Sequence, residues 1–274
     1  MNSEHHNPRQ VTTIKDLAKK KVNNEKIVAT TCYDATMARL ISFAQLDFVL
    51  IGDSLATVMM GHPNTLPVTI EHMVVYASSV SRVLQGPLLM ADMPFMSYHM
   101  SPEQTYQNAT RLMQQGGVHG LKLEGAAPWV LDQISHLVES GIPIMGHLGV
   151  TPQSVHQTSG YMVQGKEPSS AERLIQDAEK LDGAGVFALV LELVPAALAA
   201  EITRVVSVPV IGIGSGAQVD GQILVLQDLL GMNSSFQPKF VKKYCDLETT
   251  TVEALNTYVR EVLQGEFPNA THSW

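Results

Sequence analysis

Short apolar runs rich in β-branched residues alternate along the chain with longer segments whose apolar residues recur at three- and four-residue steps. These are the periods of buried strands and amphipathic helices. The runs predict strands over 27–31, 48–52, 87–91, 118–123, 143–146, 186–191, 208–213 and 223–226. The longer segments predict helices over 35–44, 70–84, 102–115, 129–139, 170–184 and 196–206, after a short helix beginning near Thr13. Ser101-Pro102-Glu103 supplies a cap, a first-turn proline and an acid, while Gly116 and Gly141 stand where helices should stop. Strand–helix alternation predicts repeated βα units around a parallel sheet. Eight strands fit a closed (β/α)8 TIM barrel better than an open doubly wound sheet, which stays as the alternative. Beyond Asn233 the rhythm stops, and the amphipathic stretch 251–263 reads as a last helix against the barrel or a neighbouring subunit.

The chain has 274 residues, 45% hydrophobic and 16% charged, which suits one α/β barrel of about 250 residues with a large core. One domain over 1–274 is expected, with the barrel and flanking helices at 12–265 and flexible tails at 1–11 and 266–274. The net charge of -8 repels phosphate backbones and anionic membranes, so nucleic acid is not an expected partner. Lys19-Lys20-Lys21 reads as a solvated helix end. Cys32 and Cys245 lie in no metal or CxxC spacing and read as reduced thiols. Residues 1–10 lack the apolar core of a signal peptide. The most apolar stretch, 186–200, is broken by Glu192 and Pro195 and falls short of the ~20 residues that cross a bilayer. No membrane partner and a cytoplasmic location are expected.

The acids change the picture. Asp53, Asp92, Glu124 and Glu192 each follow an apolar run, and His147 ends a fifth. In a barrel the C-terminal strand ends share one face, so these side chains converge. Each acid alone reads as a cap or turn residue, but together they form a charge cluster that needs a cation. Oxygen donors without cysteine or paired histidines suit a hard ion that keeps water or substrate ligands, Mg2+ first, with Mn2+ and Co2+ not separated from it. Lys122, two residues from Glu124, shares its side of the strand and suits an anionic substrate. His147 reads either as a packed core histidine or as a substrate donor. Ile211-Gly212-Ile213-Gly214-Ser215-Gly216 reads as a phosphate cradle or as a turn that lets backbones approach. The 13 methionines read as core filling.

Several ordered segments resemble the ketopantoate hydroxymethyltransferase family: Thr31-Cys32-Tyr33-Asp34, Gly52-Asp53-Ser54-Leu55, Thr65-Leu66-Pro67-Val68-Thr69, Ala91-Asp92-Met93-Pro94-Phe95-Met96, Lys122-Leu123-Glu124-Gly125, Gly146-His147-Leu148-Gly149-Val150-Thr151-Pro152-Gln153, Leu191-Glu192-Leu193-Val194-Pro195 and Gly212-Ile213-Gly214-Ser215-Gly216. The resemblance runs from Thr12 to about Gly265. It implies a barrel of the phosphoenolpyruvate/pyruvate type that moves a one-carbon unit from 5,10-methylenetetrahydrofolate to 3-methyl-2-oxobutanoate, giving 2-dehydropantoate for pantothenate synthesis. It implies Asp53 and Asp92 as Mg2+ ligands, with Glu124 ligating directly or through water. Asp53, Ser54, Asp92, Lys122 and His147 then meet the oxo acid, and Glu192 is the general base. Such a base must be free of the metal, in an apolar setting, and Glu192 is flanked by Leu191, Leu193 and Val194. A lid over the folate at 157–168 and a homo-oligomer, a decamer, are implied in the same way. Ala56 stands where the family usually has glycine, which puts the geometry of the serine loop in question. The rivals are an oxo-acid lyase of the same superfamily, whose usual cysteine is absent from 122–128, a Schiff base on Lys122, and a non-catalytic barrel.

Overall fold

A computed structural model describes residues 10–157, 160–233 and 238–274. Thus most of the expected N-terminal tail, and residues 158 and 159 of the expected lid, lie outside the described residues. Contacts divide the chain into a unit ending at Leu224 and a unit Val225–Trp274.

The first unit contains a closed barrel of eight parallel strands in sequence order. They are β1 (Ile27–Thr31), β2 (Phe48–Ile51), β3 (Leu88–Asp92), β4 (Gly120–Glu124), β5 (Ile144–Gly149), β6 (Ala188–Glu192), β7 (Val210–Ile213) and β8 (Gly221–Leu224). The helices are α1 (Ile14–Val22), α2 (Ala35–Ser42), α3 (Leu55–Val58), α4 (Ile70–Ser81), α5 (Pro102–Arg111), α6 (Pro128–Glu139), α7 (Pro168–Gly183) and α8 (Ala196–Val205). Their starts are chemically marked. Thr13 and Thr69 form capping boxes on α1 and α4, Asp34 and Ser101 cap α2 and α5, and prolines open α5, α6 and α7.

All eight expected strands form; β1 has its expected bounds, the end of β5 lies three residues later than expected, and the other edges shift by no more than two. The β7–β8 connection is residues 214–220 and carries no helix, so one crossover of this barrel is made by a loop alone. A turn of π-helix at Leu112–Gly116 continues α5, and Gly117 ends it at φ 70°.

Strand alternation explains the interior. Phe48, Leu50, Leu88, Met90, Met145, Ala188, Val190, Ile211 and Ile223 fill it as one cluster. Stepping two residues along the same strands from Met90, Met145 and Val190 reaches Asp92, His147 and Glu192, so the polar residues continue the inward face at one mouth. Register agrees, because Asp92 pairs with Lys122 and Glu124 with His147, and laterally paired residues face the same way.

The second unit holds α9 (Leu226–Leu229) and α10 (Leu247–Gln264), the latter capped by Asp246 and stopped by Gly265. α10 covers the expected last helix and has no buried residue, whereas Leu226, Gln227 and Asp228 of α9 are buried. The expected tail at 266–274 includes a short turn at Ala270–His272, with Phe267 ringed by Tyr258 and His272.

Candidate active site

The acids meet in one connected cluster at the C-terminal mouth. Lys122 is its hub: its ammonium lies 2.8 Å from Asp92 Oδ1, 3.8 Å from Glu124 Oε1 and 3.3 Å from His147 Nδ1. His147 Nδ1 also lies 3.3 Å from Glu124 Oε1, and its Nε2 lies 3.4 Å from Glu192 Oε2. The second Asp92 oxygen accepts the Asp53 backbone N–H at 2.9 Å. Asp53, Asp92, Lys122, Glu124 and His147 are all buried, and Glu192 is partly exposed.

Burial drives the electrostatics. It pushes the Asp53 carboxyl well above its ordinary value, and the Asp92 and Glu124 charges push it further. Asp92 is raised by burial too, against the pull of Lys122. For Glu124 burial acts upward, but the bond and charge of His147, with Lys122, leave it below its ordinary value. Burial and Lys122 oppose charge on His147, yet the Glu124 and Glu192 carboxylates hold it up to about 9. Burial also opposes charge on Lys122, and Asp92, Glu124 and Asp53 outweigh it, so the ammonium is held above the usual lysine range. An amine so firmly protonated is a poor Schiff-base nucleophile.

Four carboxylates therefore face two cations, and two negative charges stay unbalanced. Asp92 Oδ1 and Glu124 Oε1 are buried, the first 2.8 Å from the Lys122 ammonium and the second 3.3 Å from His147 Nδ1. Among the described residues no three His, Cys, Asp or Glu side chains form a ready-made ligand group. This donor set fits a hard divalent ion held by two carboxylates and completed by water or substrate oxygens. Asp53 and Asp92, joined through a backbone N–H, are the pair placed for it.

Gln153, unassigned by the sequence reading, ties the cluster together. It follows β5 in the turn Pro152–Ser154. Its Nε2 donates to Asp53 Oδ2 at 2.9 Å and to Met93 O at 3.0 Å, and its N–H donates to Glu124 Oε2 at 3.1 Å. Its Oε1 accepts the Tyr98 hydroxyl at 3.1 Å. Tyr33 was also missed. It is fully buried, and its hydroxyl lies 2.8 Å from Ser54 Oγ. Tyr33 lies two residues beyond Thr31, on the inward parity of β1, which is the signal that could have found it. Gly52 makes room there, since a Cβ would stand 2.7 Å from Ser54 Oγ and 3.7 Å from Asp92 Oδ2. Ala56 is buried within α3, a helical setting that suits alanine.

Glu192 departs from its expected setting. Leu191 alternates to the other side of the strand, Leu193 lies beyond its end, and the carboxylate faces His147. Leu193 follows with φ 51°, a left-handed conformation costly for leucine. The strain is held by neighbours: Leu193 donates to Ile213 O, and Ser215 Oγ accepts the Val194 N–H and donates to Leu191 O. The glycine-rich segment thus buttresses the Glu192 turn. Gly216, at φ 82°, packs there with its Cβ position 2.5 Å from Ala196 Cβ.

Comparison with known proteins gives the fold and the family. Among solved structures, phosphonopyruvate hydrolase in complex with oxalate and Mg++ has a TM-score of 0.62 at 9% identity, covering 96% of this chain and 93% of that one. A 2,3-dimethylmalate lyase has a TM-score of 0.61 at 15% identity, over 96% and 89%. These establish the closed-barrel fold alone. The 3-methyl-2-oxobutanoate hydroxymethyltransferase of Thermoanaerobacter sp. (strain X514) is 47% identical over 258 residues, 94% of each chain. That of Dehalococcoides mccartyi (strain ATCC BAA-2266 / KCTC 15142 / 195) is 48% identical over 263 residues, 96% of this chain and 93% of the relative. The family model described as ketopantoate hydroxymethyltransferase matches residues 11–270. A match that spans the whole barrel and every acid of the cluster leaves one assignment: this chain belongs to the ketopantoate hydroxymethyltransferase family.

Proposed function

We propose that this enzyme, a hydroxymethyltransferase of the pantothenate pathway, transfers the one-carbon unit of 5,10-methylenetetrahydrofolate to C3 of 3-methyl-2-oxobutanoate, with Glu192 as the base. The observation that carries this reading is the partly open Glu192 carboxylate across the mouth from the buried Asp53–Asp92 pair. Asp53 and Asp92 would hold Mg2+, with Glu124 acting through water because both of its oxygens already face protein partners. When bound, the ion polarises the oxo-acid carbonyl and stabilises the charge that appears there as C3 loses its proton.

The chain's own residues supply the rest. The Lys122 ammonium and the Ser54 hydroxyl orient the anionic end of the oxo acid. Glu192 takes the C3 proton, and the His147 imidazolium fixes its carboxylate from 3.4 Å. Water adds to the donor's methylene carbon and both of its C–N bonds break, so tetrahydrofolate leaves with the two protons of that water on its nitrogens. C3 then adds to the carbon released at the formaldehyde level, whose oxygen takes up a proton and becomes the hydroxyl. The segment 157–168 is assigned as the lid, in which the half-buried Tyr161 feels the charges of Asp53, Glu192 and Glu124. The exposed Val252, Leu255, Val259 and Val262 of α10 support a homo-oligomer, the decamer that the family resemblance implies. No helix among the described residues is long and apolar enough to cross a membrane, in keeping with cytoplasmic work on small molecules.

Chelation and trapping test the reading. EDTA removes activity, Mg2+ restores it, and borohydride with the oxo acid leaves Lys122 unlabelled. Activity that survives EDTA, together with label on Lys122, overturns it in favour of a Schiff base.

A further inference from the structure

A cavity of about 360 Å³ opens beside the acidic cluster, bordered by Glu124 and Gln153. Four rings, Phe95, Tyr98, His99 and Trp129, line it together with small, apolar and uncharged polar residues. The rings form one array, with centroids 4.2 Å apart for Tyr98 and His99, 4.8 Å for His99 and Trp129, and 5.6 Å for Phe95 and His99.

The walls are built in advance. Met96 holds φ 62°, a strained conformation that persists only where its surroundings enforce it. Buried Asn108 donates to Ser97 O at 2.7 Å, and the Tyr98 hydroxyl accepts the Glu124 N–H at 3.3 Å. The β3–α5 loop is thereby pinned to the strand end that carries Glu124. Yet Phe95 and Trp129 keep 36% and 42% of their surface exposed, an exposed aromatic face of the kind that marks a binding surface.

We propose that this cavity binds the flat pterin ring system of the folate co-substrate, stacked on Trp129 and Phe95, with the carboxylate-bearing tail outside. The inference rests on the reading that the one-carbon donor is a folate. The lining chemistry selects the ring over the other candidates. It contains no Lys or Arg, and Glu124 is its charged member, so it repels both the oxo-acid carboxylate and the folate tail. Burial keeps His99 below the usual histidine range, which leaves an uncharged plate at neutral pH. A cavity at the small end of the range for ligand pockets suits one ring system better than a whole folate. Its border with Glu124 brings the donor's methylene carbon toward C3 of an oxo acid anchored at Lys122.

Trp129 reports on its own site. The chain has two tryptophans, and Trp274 is fully exposed at the C-terminus, so Trp274→Phe leaves Trp129 as the sole emitter. Titrating this variant with tetrahydrofolate, without oxo acid, quenches its emission saturably and to the same extent for mono- and triglutamyl forms. Trp129→Leu and, separately, Phe95→Leu raise the KM for 5,10-methylenetetrahydrofolate by about 5- to 150-fold, the range for loss of one aromatic stacking partner, while the oxo-acid KM does not follow. Saturable folate binding that leaves Trp129 emission unchanged, or variants in which the oxo-acid KM rises and the donor KM stays, overturns the proposal. The two readings fail separately, since loss of the folate reaction in the parent enzyme would remove the donor assignment before any variant is made.

Discussion

Asp53→Asn tests the charge imbalance of the cluster. The substitution keeps the side chain's shape, and the amide oxygen can still accept the Gln153 Nε2–H that Asp53 Oδ2 accepts at 2.9 Å. It removes a charge that burial and the Asp92 and Glu124 carboxylates disfavour. Like charges about 4 Å apart at an effective dielectric near 20 repel by up to about 4 kcal/mol, so relief of about 2–4 kcal/mol is expected in metal-free enzyme. For a chain of this size, at ~2.1 cal/mol/K of unfolding entropy per residue, that is a Tm rise of about 3–7 °C. The sign follows from the raised carboxyl. Its contribution to stability is complete below the ordinary value of 3.8 and is lost as pH rises through the folded-state value. The variant's advantage in EDTA therefore vanishes below pH 3.8 and grows as pH rises from there. Mg2+ at about 100 times its Kd adds about 2.7 kcal/mol to the parent and nothing to the variant, which is also inactive. Calorimetry in EDTA and in Mg2+ reads all of this. A variant no more stable than the parent in EDTA at pH 8, or equally stabilised by Mg2+, would refute the reasoning.

Gln153→Ala frees Asp53 from its amide partner and weakens Mg2+ by about 10- to 100-fold, as loss of a group that orients a ligand commonly does; titration calorimetry measures it, and parent affinity would contradict it. The protonated His147 ring contributes stability in full below pH 6.5, and this is lost as pH rises through about 9. Turnover should decline over the same window, and a pH profile in which His147→Gln keeps that decline would contradict the assignment. Gly149→Ala, at φ 95°, drives a Cβ into the Glu192 carbonyl oxygen; kcat should fall about 100-fold, the loss expected when a reacting group moves by about 1 Å, and a parent-like kcat would show that the turn can yield.

Much of this site was legible because parity and charge are both written in the sequence. An inward-facing strand residue repeats every second position, so Met90 announces Asp92 and Val190 announces Glu192. Four acids at separate strand ends then demand a common face. What stayed hidden depends on tertiary contact. Gln153 lies on a turn after β5 and carries no charge, so no strand-end rule selects it, although it follows the His147 strand in a quoted family segment. The His147 ring that faces Glu192 comes from the adjacent strand, whereas Leu191 misled because alternation turns it away. Strand edges slipped where burial continues outside the ladder, as at Val186 and Val118, both buried ahead of their strands. For β8 the reading began at Ile223 because Gly221 hid the start. That glycine is needed where a Cβ would stand 2.5 Å from Ile27 O.

Hydrogen exchange at C3 of 3-methyl-2-oxobutanoate in D2O, followed by NMR without folate, isolates proton removal from carbon transfer. With Mg2+ the parent enzyme should replace the C3 proton by deuterium, EDTA should stop the exchange, and Glu192→Gln should not exchange even with Mg2+ bound. Exchange at the parent rate in Glu192→Gln would contradict the assignment of Glu192 as the base that works beside the Asp53–Asp92 pair.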